Sequence, residues 1–201
     1  MRPMQIIAAA CAALVSVLLA VTFARALPAM AEKERQGRKN AVSAVCENAL
    51  KPDPSGGNLG PLPADPPGFT LKDWNDNNVS LAQTRGRVTL VNFWATWCST
   101  CVVEMPSLEK LAAGMRDRPF TLLAVTVDEK WDEVARFFAG KKTNMTVLLD
   151  AAKAVPTRYG TEKFPETFII DKEGKARFYV VSDRDWAAPD VKACLDALVD
   201  E

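Results

Sequence analysis

A buried strand that leads directly into a helix with a Cys-x-x-Cys pair constrains the fold of this chain more than any other feature. Residues 88–94 (VTLVNFW) form an almost continuous apolar run, which is typical of a strand buried on both faces. After a short turn, Cys98 and Cys101 begin a segment, extending to Met115, in which apolar residues recur at helical spacing. The sequence therefore predicts a strand, a turn and a helix whose N-terminus carries the first cysteine.

Strand and helix patterns alternate after this junction. We expect strands near residues 120–127, 147–149, 166–171 and 177–181, and helices near residues 131–139, 151–159 and 190–199. A short hairpin near residues 69–81 precedes the junction, and a tight turn at Gly174 makes the last two strands antiparallel. This order predicts an α/β fold with a central mixed sheet and helices on both of its faces.

An uncharged apolar run, residues 6–23, lies near the N-terminus and is preceded by Arg2. It has the form of an export signal, and its length lies between that of a cleaved signal and that of a membrane-spanning helix. Two interpretations stay open: cleavage at Ala29-Met30-Ala31, or retention as a membrane anchor. Both place the rest of the chain outside the cytoplasm, on the periplasmic side of the inner membrane, where disulfides persist.

Composition divides the chain into three parts. Residues 1–31 are the signal peptide or signal anchor, and residues 32–65 comprise a segment with a helical pattern followed by a linker rich in Pro and Gly. The density of these residues between Lys51 and Gly68 argues against both helix and strand. Residues 66–201 form one folded domain of ordinary size, long enough to bury a single core.

The chain of 201 residues contains no histidine. This excludes Ser-His-Asp and Cys-His nucleophilic sites as well as metals ligated by histidine. A zinc site built on the Cys-x-x-Cys pair would need two further paired ligands, so we expect no metal and no cofactor. The 25 basic and 25 acidic residues balance to a net charge of zero, which does not indicate a nucleic-acid partner.

The position of the cysteine pair predicts thiol chemistry. A helix N-terminus carries about half a positive charge and unsatisfied N–H groups, so it stabilises a thiolate at Cys98. Cys101 lies one turn further along the helix, where it can attack a mixed disulfide at Cys98 and release the reduced partner. We therefore expect a thiol–disulfide oxidoreductase in which Cys98 attacks and Cys101 resolves.

Further motifs surround the pair: residues 91–98 (VNFWATWC), residues 104–106 (EMP), and residues 164–171 (FPETFIID) with Gly174. With the Cys-x-x-Cys spacing, they resemble the TlpA/ResA branch of the thioredoxin-like family over about residues 66–199. The resemblance implies a thioredoxin-like fold with an N-terminal β-hairpin. It also implies a helix-and-strand insertion between Asp128 and Val147.

The resemblance also implies roles for residues near the cysteines. Pro165 would be a cis-proline that faces the pair, and the backbone of Phe164 would bind an extended client segment. Glu104 resembles the acid that tunes the thiols and moves their protons in this branch. An exposed helix carboxylate is the alternative interpretation of Glu104.

Three positions depart from the pattern of related proteins, and one of them is Ser99-Thr100, which replaces the proline-containing dipeptides common between the two cysteines. Asn92 replaces the buried acid of thioredoxin itself, so any carboxylate role falls to Glu104. Glu166 stands where a small hydroxylated residue is frequent; beside the thiols it would disfavour the thiolate and repel acidic partners, whereas an outward orientation would do neither. We expect Trp97 to form an apolar platform that shields Cys98 and contacts the client.

Two further cysteines, Cys46 and Cys194, lie in the exported part of the chain. If the Cys-x-x-Cys pair forms one disulfide, Cys46 on the N-terminal helix is left to bond Cys194 on the closing helix. That bond would staple the N-terminal extension onto the core. Two unpaired, buried thiols are the alternative.

The resemblance implies a reductase that acts on client proteins with disulfides or thiols, of the cytochrome c maturation or oxidase copper-site assembly type. It would receive electrons from a membrane thiol donor, and an uncleaved anchor would attach it to the membrane. The alternatives are a disulfide-forming oxidant, which usually has a larger helical insertion, and a copper-handling thiol protein, from which a histidine would be expected.

Overall fold

The computed structural model describes residues 3–51, 58–59 and 65–201, with side chains described for residues 14–51 and 65–201. The chain divides into two compact units, Met1–Ser43 and Ala44–Glu201. Helix α1 (Pro3–Ala49) continues through the apolar run and through the segment with the helical pattern. Among the described residues it alone is long and apolar enough to cross a membrane, and its side chains from residue 14 to residue 30 are exposed.

The second unit contains a mixed β-sheet. Its described strands are β1 (Asn58–Leu59), β2 (Thr70–Asp73), β3 (Asn78–Ser80), β4 (Val88–Trp94), β5 (Phe120–Thr126), β6 (Thr146–Leu149), β7 (Glu166–Ile170) and β8 (Ala176–Val181). The remaining helices are α2 (Ser99–Gly114), α3 (Trp131–Phe138), α4 (Ala154–Tyr159) and α5 (Pro189–Asp200), and a 3-10 turn spans Leu81–Thr84. Apart from β1, these elements follow the predicted order.

The strands lie side by side in the order β1-β8-β7-β4-β5-β6-β2-β3. The pairs β4–β5 and β5–β6 are parallel, and the other neighbouring pairs are antiparallel. The predicted mixed sheet with an antiparallel C-terminal pair is therefore confirmed. Because β4 and β5 are parallel neighbours, the loops that follow them meet at one edge of the sheet, where the cysteine pair lies.

Strand β4 is buried along its whole length, and its side chains alternate between two environments. Val91 and Phe93 pack into an apolar core with Tyr159 of α4. Burial of each such side chain stabilises the fold by about 1.5–3 kcal/mol. On the opposite face, Asn92 hydrogen-bonds Glu104 of α2. The alternation thus places a polar group directly beneath the helix that carries the cysteines.

The expectation that no strand forms between Lys51 and Gly68 is wrong at Asn58–Leu59, which pair with β8 at the edge of the sheet. These two residues are flanked by glycines rather than prolines, so their backbone N–H groups remain available for pairing. Residues 52–57 and 60–64 lie outside the described residues, and the linker and the predicted domain boundaries stay predictions.

Candidate active site

Cys98 occupies the N-cap position of α2, where its backbone is extended. Its Sγ accepts the backbone N–H of Cys101 at 3.2 Å and lies 3.4 Å from Thr100 Oγ1. Cys98 and Cys101 are joined by a disulfide in this structure. After reduction, the N–H donor and the positive end of the helix would both favour a thiolate at Cys98.

The two sulfurs differ in exposure. Cys98 is 8% exposed, whereas Cys101 is completely buried, so an incoming sulfur can reach Cys98 first. Trp97 is 62% exposed, and its ring contacts Phe164 edge to face with 6.1 Å between centroids. Lys153 Nζ lies 5.6 Å from the centroid of the Trp97 ring, within the range of a cation–π contact. The exposed Trp97 ring, next to Cys98 in the sequence, thus contacts both Phe164 and Lys153.

The peptide bond between Phe164 and Pro165 is cis. The carbonyl oxygen of Phe164 lies 3.5 Å from Thr100 Oγ1, so the residues that precede β7 lie against the first turn of α2. The structure thus brings Phe164, Trp97 and the cysteine pair together at one edge of the sheet.

Glu104 is only 2% exposed, so it is not an exposed helix carboxylate. Its Oε1 accepts a hydrogen bond from Asn92 Nδ2 at 2.8 Å, and its Oε2 accepts one from Trp186 Nε1 at 2.9 Å. Burial raises the pKa of Glu104 to about 7, against these hydrogen bonds, which favour the charged form. A carboxyl group that can take up or release a proton near neutral pH therefore lies one turn beyond Cys101.

Glu166 adopts neither orientation considered from the sequence. It is 3% exposed, and it lies on the opposite face of β7 from Thr167, which contacts Asn92 on the Glu104 side. Its carboxylate interacts with the hydroxyl of Tyr179; burial, followed by this hydrogen bond, raises the pKa of Tyr179 above its ordinary value. The buried position leaves Glu166 little surface through which to contact a client.

Sequence reasoning missed Asp128, which is 1% exposed and follows β5. Its carboxylate accepts hydrogen bonds from the backbone N–H of Thr96 at 3.0 Å, from the Thr96 hydroxyl at 2.7 Å, and from the Thr126 hydroxyl. Asp128 thereby fixes the turn that leads from β4 to Cys98. A carboxylate directly after a strand parallel to β4 is the signal that could have identified it.

Cys46 of α1 and Cys194 of α5 are joined by a second disulfide, and both residues are completely buried. Arg184, in the loop before α5, donates hydrogen bonds to the backbone carbonyls of residues 49–51. The disulfide and the arginine thus fix the end of α1 to the C-terminal part of the domain. The alternative of two unpaired thiols does not describe this structure.

Comparison with known proteins places these features among redox proteins. Residues 63–195 match the family model described as Redoxin. The thiol-disulfide oxidoreductase ResA of Bacillus subtilis is 32% identical over 112 residues, which cover 56% of this chain and 63% of that protein. The thioredoxin-like protein YneN of the same organism is 36% identical over 110 residues, which cover 54% and 64%. The chain thus spans somewhat less than two thirds of these relatives.

Solved structures share the fold. The thioredoxin domain of a thiol-disulfide oxidoreductase from Bacteroides vulgatus is 26% identical, with a TM-score of 0.60 over 70% of this chain and 99% of the other. A thiol:disulfide interchange protein from Bacteroides sp. is 26% identical, with a TM-score of 0.57 over 71% and 92%. The predicted thioredoxin-like fold, with its added hairpin and insertion, is confirmed.

Proposed function

The chain belongs to the Redoxin family, as a protein of the TlpA/ResA type, and from this membership we propose that it is an extracytoplasmic protein thiol–disulfide oxidoreductase. The observation that carries the proposal is the asymmetry of the Cys-x-x-Cys pair. Cys98 caps a helix and keeps 8% of its surface exposed, whereas Cys101 is completely buried. The attacking thiol has to be accessible to the client disulfide, whereas the resolving thiol reacts only after the mixed disulfide has formed. The arrangement of Cys98 and Cys101 suits both requirements.

The proposed cycle begins with the reduced pair. The Cys98 thiolate attacks one sulfur of a client disulfide, forms a mixed disulfide and expels the other client sulfur as a thiolate. Cys101 then loses its proton and attacks the Cys98 sulfur, which releases the second client thiolate and leaves the Cys98–Cys101 disulfide. Two electrons pass to the client, and a membrane thiol donor returns two electrons to the pair.

Glu104 is the proposed acceptor of the Cys101 proton. It lies three residues after Cys101 on the same helix, and a pKa of about 7 suits a group that takes and returns a proton near neutral pH. Asn92, which replaces the acid of thioredoxin, contributes a hydrogen bond to this carboxylate rather than a second charge.

We assign the net direction to client reduction, with clients of the cytochrome c maturation or oxidase copper-site assembly type. The similarity to ResA supports this direction. The size of the insertion is consistent with it, because α3 and β6 are short and add no large helical domain. Trp97 and Phe164 would provide the apolar surface on which an extended client segment lies.

The proposed location is the periplasmic side of the inner membrane, with α1 as the anchor. The apolar, exposed side chains of α1 between Leu14 and Met30 support this location. The second disulfide supports it as well, because disulfides persist outside the cytoplasm.

Client trapping tests this function. The Cys101→Ala variant should accumulate a mixed disulfide between Cys98 and a model client that carries one accessible disulfide, detected by non-reducing electrophoresis and mass mapping. The converse variant, Cys98→Ala, is the matched control and should capture nothing, since Cys101 is buried. Capture through Cys101, or none through Cys98, would refute the proposed roles.

A further inference from the structure

Trp186 is a buried tryptophan whose indole N–H has a specific partner. The side chain is completely buried, and its Nε1 donates to Glu104 Oε2 at 2.9 Å. Trp94 is equally buried, but its indole N–H has no hydrogen-bond partner among the residues that the structure describes. Burial in this core therefore does not by itself bring an indole N–H to an acceptor, and the contact of Trp186 with Glu104 requires another explanation.

The backbone around Trp186 is docked onto α2 next to Glu104. The backbone N–H of Trp186 donates to Ser107 Oγ at 3.0 Å. The Ser107 hydroxyl also lies 2.7 Å from the carbonyl oxygen of Glu104 and 3.2 Å from that of Arg184. One hydroxyl thus joins the helix turn after Glu104 to both ends of the Arg184–Trp186 segment.

The same segment is tied to the end of α1. The Arg184 guanidinium donates to the carbonyl oxygens of Ala49, Leu50 and Lys51 at 2.9, 3.0 and 3.0 Å. Such charge-assisted hydrogen bonds are about twice as strong as neutral ones. The carbonyls at the end of a helix carry partial negative charge and lack partners within the helix, so a guanidinium satisfies them well.

We propose, building on the proposed function, that Trp186 is a positioning residue for the buried acid Glu104 and that Arg184 holds it in place by clamping its segment to the end of α1. Trp186 acts through Glu104, by donating a hydrogen bond to the carboxylate that, in the proposed function, exchanges protons with Cys101.

The direction in which Trp186 changes the pKa of Glu104 follows from the groups that face this carboxyl. Asn92 of β4, Trp186 and the backbone N–H of Arg184 donate hydrogen bonds and favour the carboxylate. Asp183, just before this segment, disfavours the carboxylate by charge, and the Cys98–Cys101 disulfide of α2 carries no charge. Burial raises the pKa of Glu104, and Trp186 limits this rise, so loss of the indole N–H should raise the pKa further.

The test is a titration of Glu104 in the oxidised, full-length protein, in which the active-site thiols do not titrate. Carboxyl ¹³C signals of labelled glutamate, assigned with Glu104→Gln, should give a midpoint of about 7 in the unmodified chain. Trp186→Phe should raise the midpoint by roughly one pH unit, a tenfold gain in proton affinity. Trp94→Phe is the matched control, because it removes an indole N–H for which the described part of the chain offers no acceptor, and it should leave the midpoint unchanged.

A second measurement needs no Trp186 variant, so it tests the hydrogen bond between Trp186 and Glu104 even if Trp186→Phe fails to fold. The ¹⁵N signal of the Trp186 indole should shift with the same midpoint as Glu104, and this shift should disappear in Glu104→Gln. An indole signal that does not respond to pH, or an unchanged Glu104 midpoint in Trp186→Phe, would overturn the positioning role.

The clamp has its own test. Arg184→Met should accelerate hydrogen exchange of the Trp186 indole by about tenfold or more, because the segment opens more often. Arg158→Met removes an arginine–carbonyl contact elsewhere, to Gly68, and should leave this exchange unchanged. Equal exchange in both variants would refute the clamp. None of these measurements uses a client. They can therefore fail while client trapping succeeds, and client trapping can fail while they succeed.

Discussion

Replacement of Glu104 by glutamine should change how the stability of the domain depends on pH. The pKa of Glu104 is about 7 in the folded protein, against an ordinary value of 4.5. Below pH 4.5 the group is protonated in both folded and unfolded chains, and it has no effect on stability. Between pH 4.5 and 7 the unfolded chain loses the proton while the folded chain keeps it, so stability falls as pH rises.

The magnitude follows from the two pKa values. A difference of one pKa unit corresponds to 1.36 kcal/mol, so the raised pKa costs the folded state about 3 kcal/mol above pH 7. Glu104→Gln removes this pH-dependent cost. Any fixed penalty that the variant incurs, such as its amide group facing the indole N–H of Trp186, is the same at every pH and does not alter the slope.

The assay is chemical denaturation of the oxidised protein at a series of pH values from 4.5 to 8, followed by tryptophan fluorescence. The free energy of unfolding of Glu104→Gln, relative to the unmodified chain, should rise by about 3 kcal/mol across this range. Glu162→Gln makes the same chemical change at an exposed position and should show no such rise. A flat difference for Glu104→Gln would refute the account of its buried, protonated state.

Three further outcomes are expected. Asp128→Asn should destabilise the protein by about 2 kcal/mol and slow client reduction, because the turn at Thr96 loses a charged acceptor; denaturation and insulin reduction measure the two effects. Joint replacement of Cys46 and Cys194 by alanine should lower the free energy of unfolding by up to about 5 kcal/mol, because the bond closes a loop of 148 residues; a loss below about 1 kcal/mol would contradict this. Trp97→Ala should raise KM for a protein client and leave reduction of a small disulfide unchanged; equal effects on both would contradict a docking role.

Sequence patterns predict the elements that carry their own local signal. The apolar run at residues 88–94 corresponds to β4, and the helical spacing after Cys98 corresponds to α2. In both cases buried side chains recur at the spacing of the element, so the pattern is visible in a short stretch of sequence without knowledge of the rest of the chain. The Cys-x-x-Cys spacing at this junction predicts the thiol chemistry because both cysteines lie within four residues of the sequence.

No local sequence pattern predicts the surroundings of Glu104. Its partners Asn92 and Trp186 lie 12 and 82 residues away, and Trp186 belongs to a loop without periodic pattern. The burial of Glu166 and the short strand at Asn58–Leu59 likewise depend on what the rest of the sheet places beside them. Family resemblance supplies the position of an important acid, whereas the donors that hold it are read only from the three-dimensional contacts.

The reduction potential of the Cys98–Cys101 couple tests the central claim most directly. It is measured by equilibrating the protein in glutathione buffers of known ratio and quantifying alkylated thiols by mass spectrometry, with Cys46 and Cys194 still bonded. A reductase of client disulfides requires a potential near that of thioredoxin, about −270 mV, or lower. A value near −120 mV, that of a strong disulfide-forming oxidant, would contradict the proposed direction of electron flow.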